Sequence, residues 1–497
     1  MRSGLTLTYW LTIHGLASAL AVLVYVVVSH VLQHRRHPTA AIAWVLFILL
    51  VPYLALPAFL TFGSRKQARP RRRPPYAPDP SGAEGPWAVQ TALALGQPAP
   101  APYRDLQLHA DGREALAALW RAIEDAEHTI DLCTFIIGRD AVGHGLIERL
   151  CAKARAGVQV RVLLDGLGSL MRSRPNLRPL RAAGVQLTMF VPPLHSPLKG
   201  RTNLRDHRKM LIKDAAFETR RLWCGGRNLA GEYFEGEPGR PPWHDLSFDL
   251  GGAFVQQASA LFEHDWAFAN GLPQQTGADV PPAGPATAFP AATSAMTATG
   301  SAVSTATATA TATAPVASAA PSAQLIASGP DQVDDTVYSL LVTAAYRARR
   351  RIALITPYFV PDSALLTALC LAARRGVQVD LLLPARSNHR LSDVGRRRAL
   401  RTLAAAGAHI WLAPHMLHAK LALIDDTLAL AGSANLDSRS LFLNYELMVA
   451  FHDTDAVQRF GAWFEREKAF AGRYAPQRAG LLADVAEGLV LWVGFQL

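Results

Sequence analysis

The sequence predicts an α/β protein built from two similar units with mostly covered sheets, preceded by a two-helix membrane hairpin. Three observations carry this. The string H-x-K-x4-D occurs twice, as His207, Lys209 and Asp214 and again as His418, Lys420 and Asp425, about two hundred positions apart. The repeat extends beyond the string: Ala156 to Leu164 parallels Arg375 to Leu383, and Leu180 to Val185 matches Leu403 to Ala408. Two long apolar segments also stand at the N-terminus.

Residues 5 to 32 are almost unbroken apolar sequence with Tyr9 and Trp10 near one end, and residues 39 to 63 repeat the pattern with Trp44 and Tyr53. Each is long enough to cross about 30 Å of hydrocarbon as a helix. A cleaved signal peptide is the rival for the first, but its apolar run is too long and a second span follows the short turn Gln33 to Pro38. Residues 1 to 66 are therefore assigned to a transmembrane hairpin. Arg35 and Arg36 lie in the turn, whereas Arg65, Lys66, Arg69, Arg71, Arg72 and Arg73 follow the second span. The larger cluster places the body that follows in the cytoplasm and can hold an anionic leaflet.

Residues 67 to 104 read as a basic, Pro-rich linker. Residues 105 to 270 and 324 to 480 each show helix, strand, helix, strand and then the motif strand, the order of an α/β unit. Between them, residues 271 to 323 are Ala, Thr, Pro and Ser with nothing large to bury, a disordered linker by composition. Leu481 to Leu497 is apolar and fits either a membrane-surface segment or a docked core helix. A net charge of +11 indicates an acidic partner, nucleic acid or an anionic membrane, and the apolar N-terminus selects the membrane. Cys133, Cys151, Cys224 and Cys370 lack C-x-x-C spacing and read as buried free thiols of a reducing compartment.

In an extended segment alternate side chains share a face, so each motif sets a His beside a Lys. Met210 to Ile212 and Leu421 to Ile424 read as buried strands that hold those groups rigidly. Each copy is followed by a second matched string, Gly225 to Leu229 and Gly432 to Leu436. Small residues there permit close backbone approach, and the Asn228 and Asn435 amides, with the Ser433 hydroxyl, can serve an anionic oxygen. Two His, two Lys and two Asn supply a nucleophile, a general acid and positive charge for a pentacoordinate phosphorus. Lysine is rarely a metal ligand, so the cluster reads as metal-free.

These strings are the paired HKD motifs of the phospholipase D superfamily. Thr356 to Asp362, His415 to Lys420, Gly432 to Ser440 and Asn444 to Glu446 are similar to bacterial cardiolipin synthases, and the likeness covers most of residues 9 to 66, 105 to 270 and 324 to 475. The resemblance implies two phospholipase D-like α/β/α sandwich domains related by a pseudo-twofold axis, with one site at their shared face. It also implies displacement through a phosphohistidine, with His207 attacking and His418 as acid and then base. Lys209, Lys420, Asn228, Asn435 and Ser433 would bind the phosphate. Glu446 matches the carboxylate partner of His418, and Asp245 is the candidate for His207. Asp214 and Asp425 complete the motifs, tying the two motif regions together by hydrogen bonds.

The implied substrate is phosphatidylglycerol at the bacterial inner membrane, with no nucleic acid and no cofactor or metal, so a chelator should leave activity intact. The competing readings are a membrane-bound phospholipase D that uses water, a nuclease, or a noncatalytic scaffold; intact His and Lys in both copies disfavour the last. Two departures bear on the site. The first copy carries four extra residues between Asp214 and Gly225, around Glu218 to Arg221, and Asp206 stands where the family pattern has Asn. The first predicts a longer hairpin tip, or else a displaced Asn228.

Overall fold

The computed structural model describes residues 2–31, 38–62, 86–168, 175–191, 204–272 without 238, 321–476 without 333, and positions 480, 487, 488 and 490. The basic run Arg65 to Arg73, the interior of the Ala/Thr/Pro segment and nearly all of Leu481 to Leu497 lie outside the described residues.

Each half is built on one strand order. In the first, Arg104–Leu108, Ser247–Gly251, Arg221–Gly225, Met210–Lys213, Thr129–Thr134, Gln159–Leu164 and Gln186–Met189 lie side by side. In the second, Ser322–Ser328, Asn444–Phe451, Leu428–Gly432, Leu421–Ile424, Arg351–Ile355, Gln378–Pro384 and His409–Ala413 repeat that order, with Ala101–Pro102 and Gly472–Arg473 added at the edges. The last three strands of each series are parallel, joined by helical crossovers, and the motif strand pairs antiparallel with the first of them. Asp side chains start the helices: Asp111, Asp140, Asp362 and Asp453 each accept the amide three residues on.

Three apolar clusters give the layering. One lies under the outer helices of each half, around Leu119, Leu146 and Trp223 in the first and Leu340, Leu369 and Leu403 in the second. The third joins the halves and takes in Phe248, Phe254, Phe262, Tyr445, Phe451 and Phe460, with the helices Val255–Asn270 and Thr454–Ala469 contributing. The two α/β/α units therefore share a continuous core, as the repeat implies.

The motif aspartates are structural. Asp214 and Asp425 each end a motif strand in the left-handed region, at φ 49° and 50°. Asp214 accepts from the amides of Glu127, His128 and Thr129 (3.2, 2.8 and 2.9 Å), and Asp425 from those of Arg349, Arg350 and Arg351 (3.0, 2.8 and 2.9 Å). Each locks its motif strand to the neighbouring parallel strand within its own half. The expectation that they tie the two motif regions to each other is corrected accordingly. The four extra residues fall in the turn between Met210–Lys213 and Arg221–Gly225, so the longer tip holds and Asn228 keeps its place.

Two boundaries differ from expectation. Trp87–Ala94 is a helix whose Ala88 and Ala92 pack into the second half's core, so the stretch before residue 104 is only partly a linker. At the N-terminus, the helix Arg2–Val31 contains a span, Thr8–Val27, long and apolar enough to cross a membrane. The second apolar segment is not one helix: it divides at Val51 into Pro38–Leu50 and Pro52–Phe62. Proline lacks the N–H that a continuous helix needs at position 52. The pieces pack on the first helix through Ala21, Tyr25, Ile48, Ala55 and Phe59. Leu16, Leu50 and Leu54 face outward, 68%, 73% and 66% exposed, as suits an apolar solvent.

Candidate active site

The two histidines are held by the half to which they do not belong. Arg205–Asp206 runs parallel to the start of Asn444–Phe451, and the His207 amide donates to the Tyr445 carbonyl at 2.9 Å. The next residue, Glu446, then places Oε2 3.0 Å from His207 Nδ1. The same pattern recurs on the other side. His244 bridges to Leu417, the His418 amide donates to the His244 carbonyl at 2.6 Å, and Asp245 Oδ2 lies 2.7 Å from His418 Nδ1.

This reverses the expected pairing, in which Glu446 served His418 and Asp245 served His207. The cause is the backbone pairing across the interface: each carboxylate immediately follows the residue whose carbonyl holds the opposite histidine. Binding at Nδ1 fixes each ring and leaves Nε2 as the reacting nitrogen.

Burial and charge set the protonation of the cluster. His207 is pushed below its ordinary pKa by burial, with Glu446 pulling it back and Lys209 and Lys420 pressing it down. Burial and Lys420 push His418 to about 3 against the pull of Asp245. Lys209 falls to about 8 and Lys420 to about 7, burial leading in both. Asp245, despite the burial that raises it, is held at about 2 by His418, Lys420 and Arg227. Lys420 acts on His207 and Lys209 on His418, so the two motifs share one electrostatic site. Without substrate both imidazoles favour the neutral form; an arriving phosphodiester anion supplies the charge that holds a proton on one.

The phosphate-binding expectations are met unevenly. Lys420 Nζ stands 2.8 and 3.1 Å from the two ring nitrogens of His418, and Lys209 Nζ donates to the His207 carbonyl at 2.5 Å. Asn228 donates to the Tyr233 hydroxyl at 2.7 Å, while Oδ1 of Asn228 and of Asn435 are buried without a hydrogen-bond partner; an amide oxygen accepts, so these atoms themselves do not hold a phosphate oxygen. Ser433 is reassigned: its hydroxyl donates to Glu446 Oε2 at 2.5 Å and accepts the Leu447 amide, so it steadies the carboxylate.

Asp206 does not confront the phosphorus. Burial and Asp265 raise it to about 7, and its oxygens engage the Arg208 amide and Cys133.

Several residues escaped sequence reasoning. Phe135 meets His207 edge-on at 5.3 Å, and Tyr233 and Trp243 pack on His418 at 5.2 and 5.6 Å. Of the two aromatics in the Thr356 to Asp362 string, which the sequence does offer as lining for the substrate mouth, Tyr358 meets His418 edge-on, while Phe359 is core. Arg208 and Arg227 are fully buried cations beside the motifs. The signal available for both was an arginine where the second copy of the string has alanine, Ala419 and Ala434.

A pair of buried, carboxylate-held imidazoles with a lysine from each repeat, set at the face between two equivalent α/β units, defines the phospholipase D class of phosphodiester-cleaving folds. A family described as "Cardiolipin synthase, PLD-like domain" matches residues 119–266 and 341–468, and one described as "Phospholipase_D-nuclease N-terminal" matches residues 19–64. The chain belongs to the phospholipase D-like cardiolipin synthase family. It is 30% identical to cardiolipin synthase A of Pseudomonas syringae over 86% of this chain and 85% of the relative. It is 28% identical to cardiolipin synthase 1 of Bacillus cereus over 93% and 89%. Among solved structures, a phosphatidylserine synthase of Haemophilus influenzae shares the fold at TM-score 0.57 and 12% identity, covering 82% of this chain and all of that one.

Proposed function

We propose that the chain is a cardiolipin synthase that moves a phosphatidyl group from one phosphatidylglycerol to a hydroxyl of another and releases glycerol. The observation that carries this reading is the crosswise cluster: each histidine has Nδ1 fixed by a carboxylate of the opposite half and stands beside the lysine of its own motif, with Lys420 in reach of both ring nitrogens of His418. In the first step His207 Nε2 gives its lone pair to phosphorus and the bond from phosphorus to the glycerol oxygen breaks. His418 delivers the proton to that oxygen. In the second, His418 takes the proton of the incoming hydroxyl, the new O–P bond forms, and the N–P bond breaks. Lys209 and Lys420 offset charge on the non-bridging oxygens.

The N-terminal helices support a membrane hairpin with the catalytic body on the cytoplasmic side, the side that the cluster Arg65 to Arg73 favours. Incubation of the purified chain with labelled phosphatidylglycerol tests the reading. Cardiolipin and glycerol are expected from the wild type, and neither from His207→Ala or His418→Ala. Phosphatidic acid as the sole product would overturn transfer in favour of hydrolysis.

The pH dependence of kcat/KM follows from the free site. His207 must be neutral to attack, and its pKa lies below the ordinary 6.5, so the acid limb falls below about pH 6.5. His418 must carry a proton, which the free ring gives up from about pH 3, and the lysines lose theirs as pH rises through about 7 and about 8. The value of kcat/KM is therefore expected to fall on the basic side through neutral pH, most steeply above about pH 7; a rate that keeps climbing to about pH 9 contradicts the assignment.

A further inference from the structure

Behind His418, three side chains that the reaction does not use converge from both halves. His244 comes from the first half; His415 and Glu467 come from the second. Glu467, on the helix Thr454–Ala469, is buried, and its Oε2 lies 2.8 Å from His244 Nδ1 and 3.6 Å from His415 Nε2. One donor atom from each residue falls within 4.8 Å of the others. The two imidazoles stack at 3.6 Å, and His415 Nε2 is buried without a hydrogen bond.

We propose that His244, His415 and Glu467 form a binding site for one divalent cation of the zinc class, which clamps the two halves together behind the general acid. Two imidazoles and one carboxylate are a zinc donor set, with a water in the fourth place. Tetrahedral zinc at about 2.0–2.2 Å from N and O donors sets those donors about 3.4 Å apart. The His415 to Glu467 separation is already close to that, the His244 to Glu467 separation widens by about 0.6 Å, and the two imidazole nitrogens, within 4.8 Å of each other, close toward it as His244 turns. His244 is partly exposed, so it can make that shift and leave room for the water.

A dication satisfies both nitrogens and the carboxylate together. Arg466 faces the other oxygen, Oε1, at 3.7 Å, which leaves Oε2 for the metal, and Phe470 borders both rings. The His244 amide donates to the Met416 carbonyl and its own carbonyl accepts from His418, so a cation here braces the backbone that carries both His418 and Asp245.

Tag-free full-length protein in micelles, stripped with a chelator, is titrated with Zn2+ alone by calorimetry while thermal unfolding is followed. One zinc per chain and a raised Tm are expected, with affinity at least about tenfold weaker in His415→Ala and in Glu467→Gln. Absence of saturable binding, or binding equal in both variants, overturns the site. Co2+ gives a reading on the unmutated chain: strong visible bands of a tetrahedral ion support it, and only the weak spectrum of octahedral cobalt overturns it. On the metal-free displacement proposed above, the stripped protein is expected still to turn over phosphatidylglycerol, so failure of this site and failure of the synthase reading give different results.

Discussion

Glu446→Gln is expected to lower transfer by about a hundred- to ten-thousand-fold, although Glu446 sits in the half that does not carry His207. The carboxylate accepts from Nδ1 and so keeps Nε2 free of its proton. A carboxamide no longer enforces that tautomer, and a ring protonated on Nε2 cannot attack phosphorus. The loss of charge acts in the same direction. Glu446 is the group that pulls the His207 pKa back against burial and the two lysines, and it also favours the charged form of Lys209. The fold should survive, because Gln keeps the shape of the side chain and one of its two acceptor oxygens, losing only one of the hydrogen bonds that Ser433 gives to Oε2 and Asn444 gives to Oε1. Asp245→Asn is the mirror experiment on His418. Imidazole NMR of the labelled chain in micelles reads the pairing directly: Glu446→Gln should move the His207 resonances and Asp245→Asn those of His418. If Glu446→Gln moved His418 instead, the crosswise arrangement would be wrong.

That arrangement also shows what a single sequence can and cannot carry. Doubled strings such as His207 to Asp214 and His418 to Asp425 announce two equivalent strands, and their apolar interiors place them centrally in each sheet. Both carboxylates could be named as well, Glu446 from the family resemblance of Asn444-Tyr445-Glu446 and Asp245 as the acid of Trp243-His244-Asp245. Their partners could not, because pairing depends on which strand crosses the interface. Arg205–Asp206 lying beside Asn444–Tyr445 is a contact between residues about 240 positions apart, and no local pattern encodes it. Ser433 illustrates the same limit: a hydroxyl in a small-residue string suits phosphate and carboxylate equally, and only packing puts Glu446 within its reach. The break at Val51 was readable from Pro52, but mean hydropathy over the segment conceals it.

The same interface sets the second large effect, in stability. Arg208 and Asp265 are both fully buried and form an ion pair, with Arg208 also donating to the Glu446 carbonyl at 3.2 Å and the Ser328 carbonyl at 3.3 Å. One side chain thus joins its own half to two strands of the other. Asp265→Ala leaves a guanidinium in the core without its counter-charge, and is expected to cost about 3–5 kcal/mol. Asp206 and Asp331 are nearby acids whose charged state the change would favour, since Asp265 helps raise both. The Asp206 oxygens already serve the Arg208 amide and the Cys133 thiol, and Asp331 makes no hydrogen bond to the guanidinium, so neither replaces the lost ion pair directly. Arg350 and Asp426 make the useful comparison: they pair at the surface, 69% and 65% exposed, and Asp426→Ala should cost less than about 1 kcal/mol. Denaturant midpoints of the two variants, measured on the full chain in micelles, decide the matter. Transfer activity should fall with Asp265→Ala even below the unfolding transition, because Arg208 anchors the backbone of Glu446. Equal midpoints for the two variants would mean that the buried pair adds nothing a surface pair does not, and that the halves are held by their shared apolar core alone.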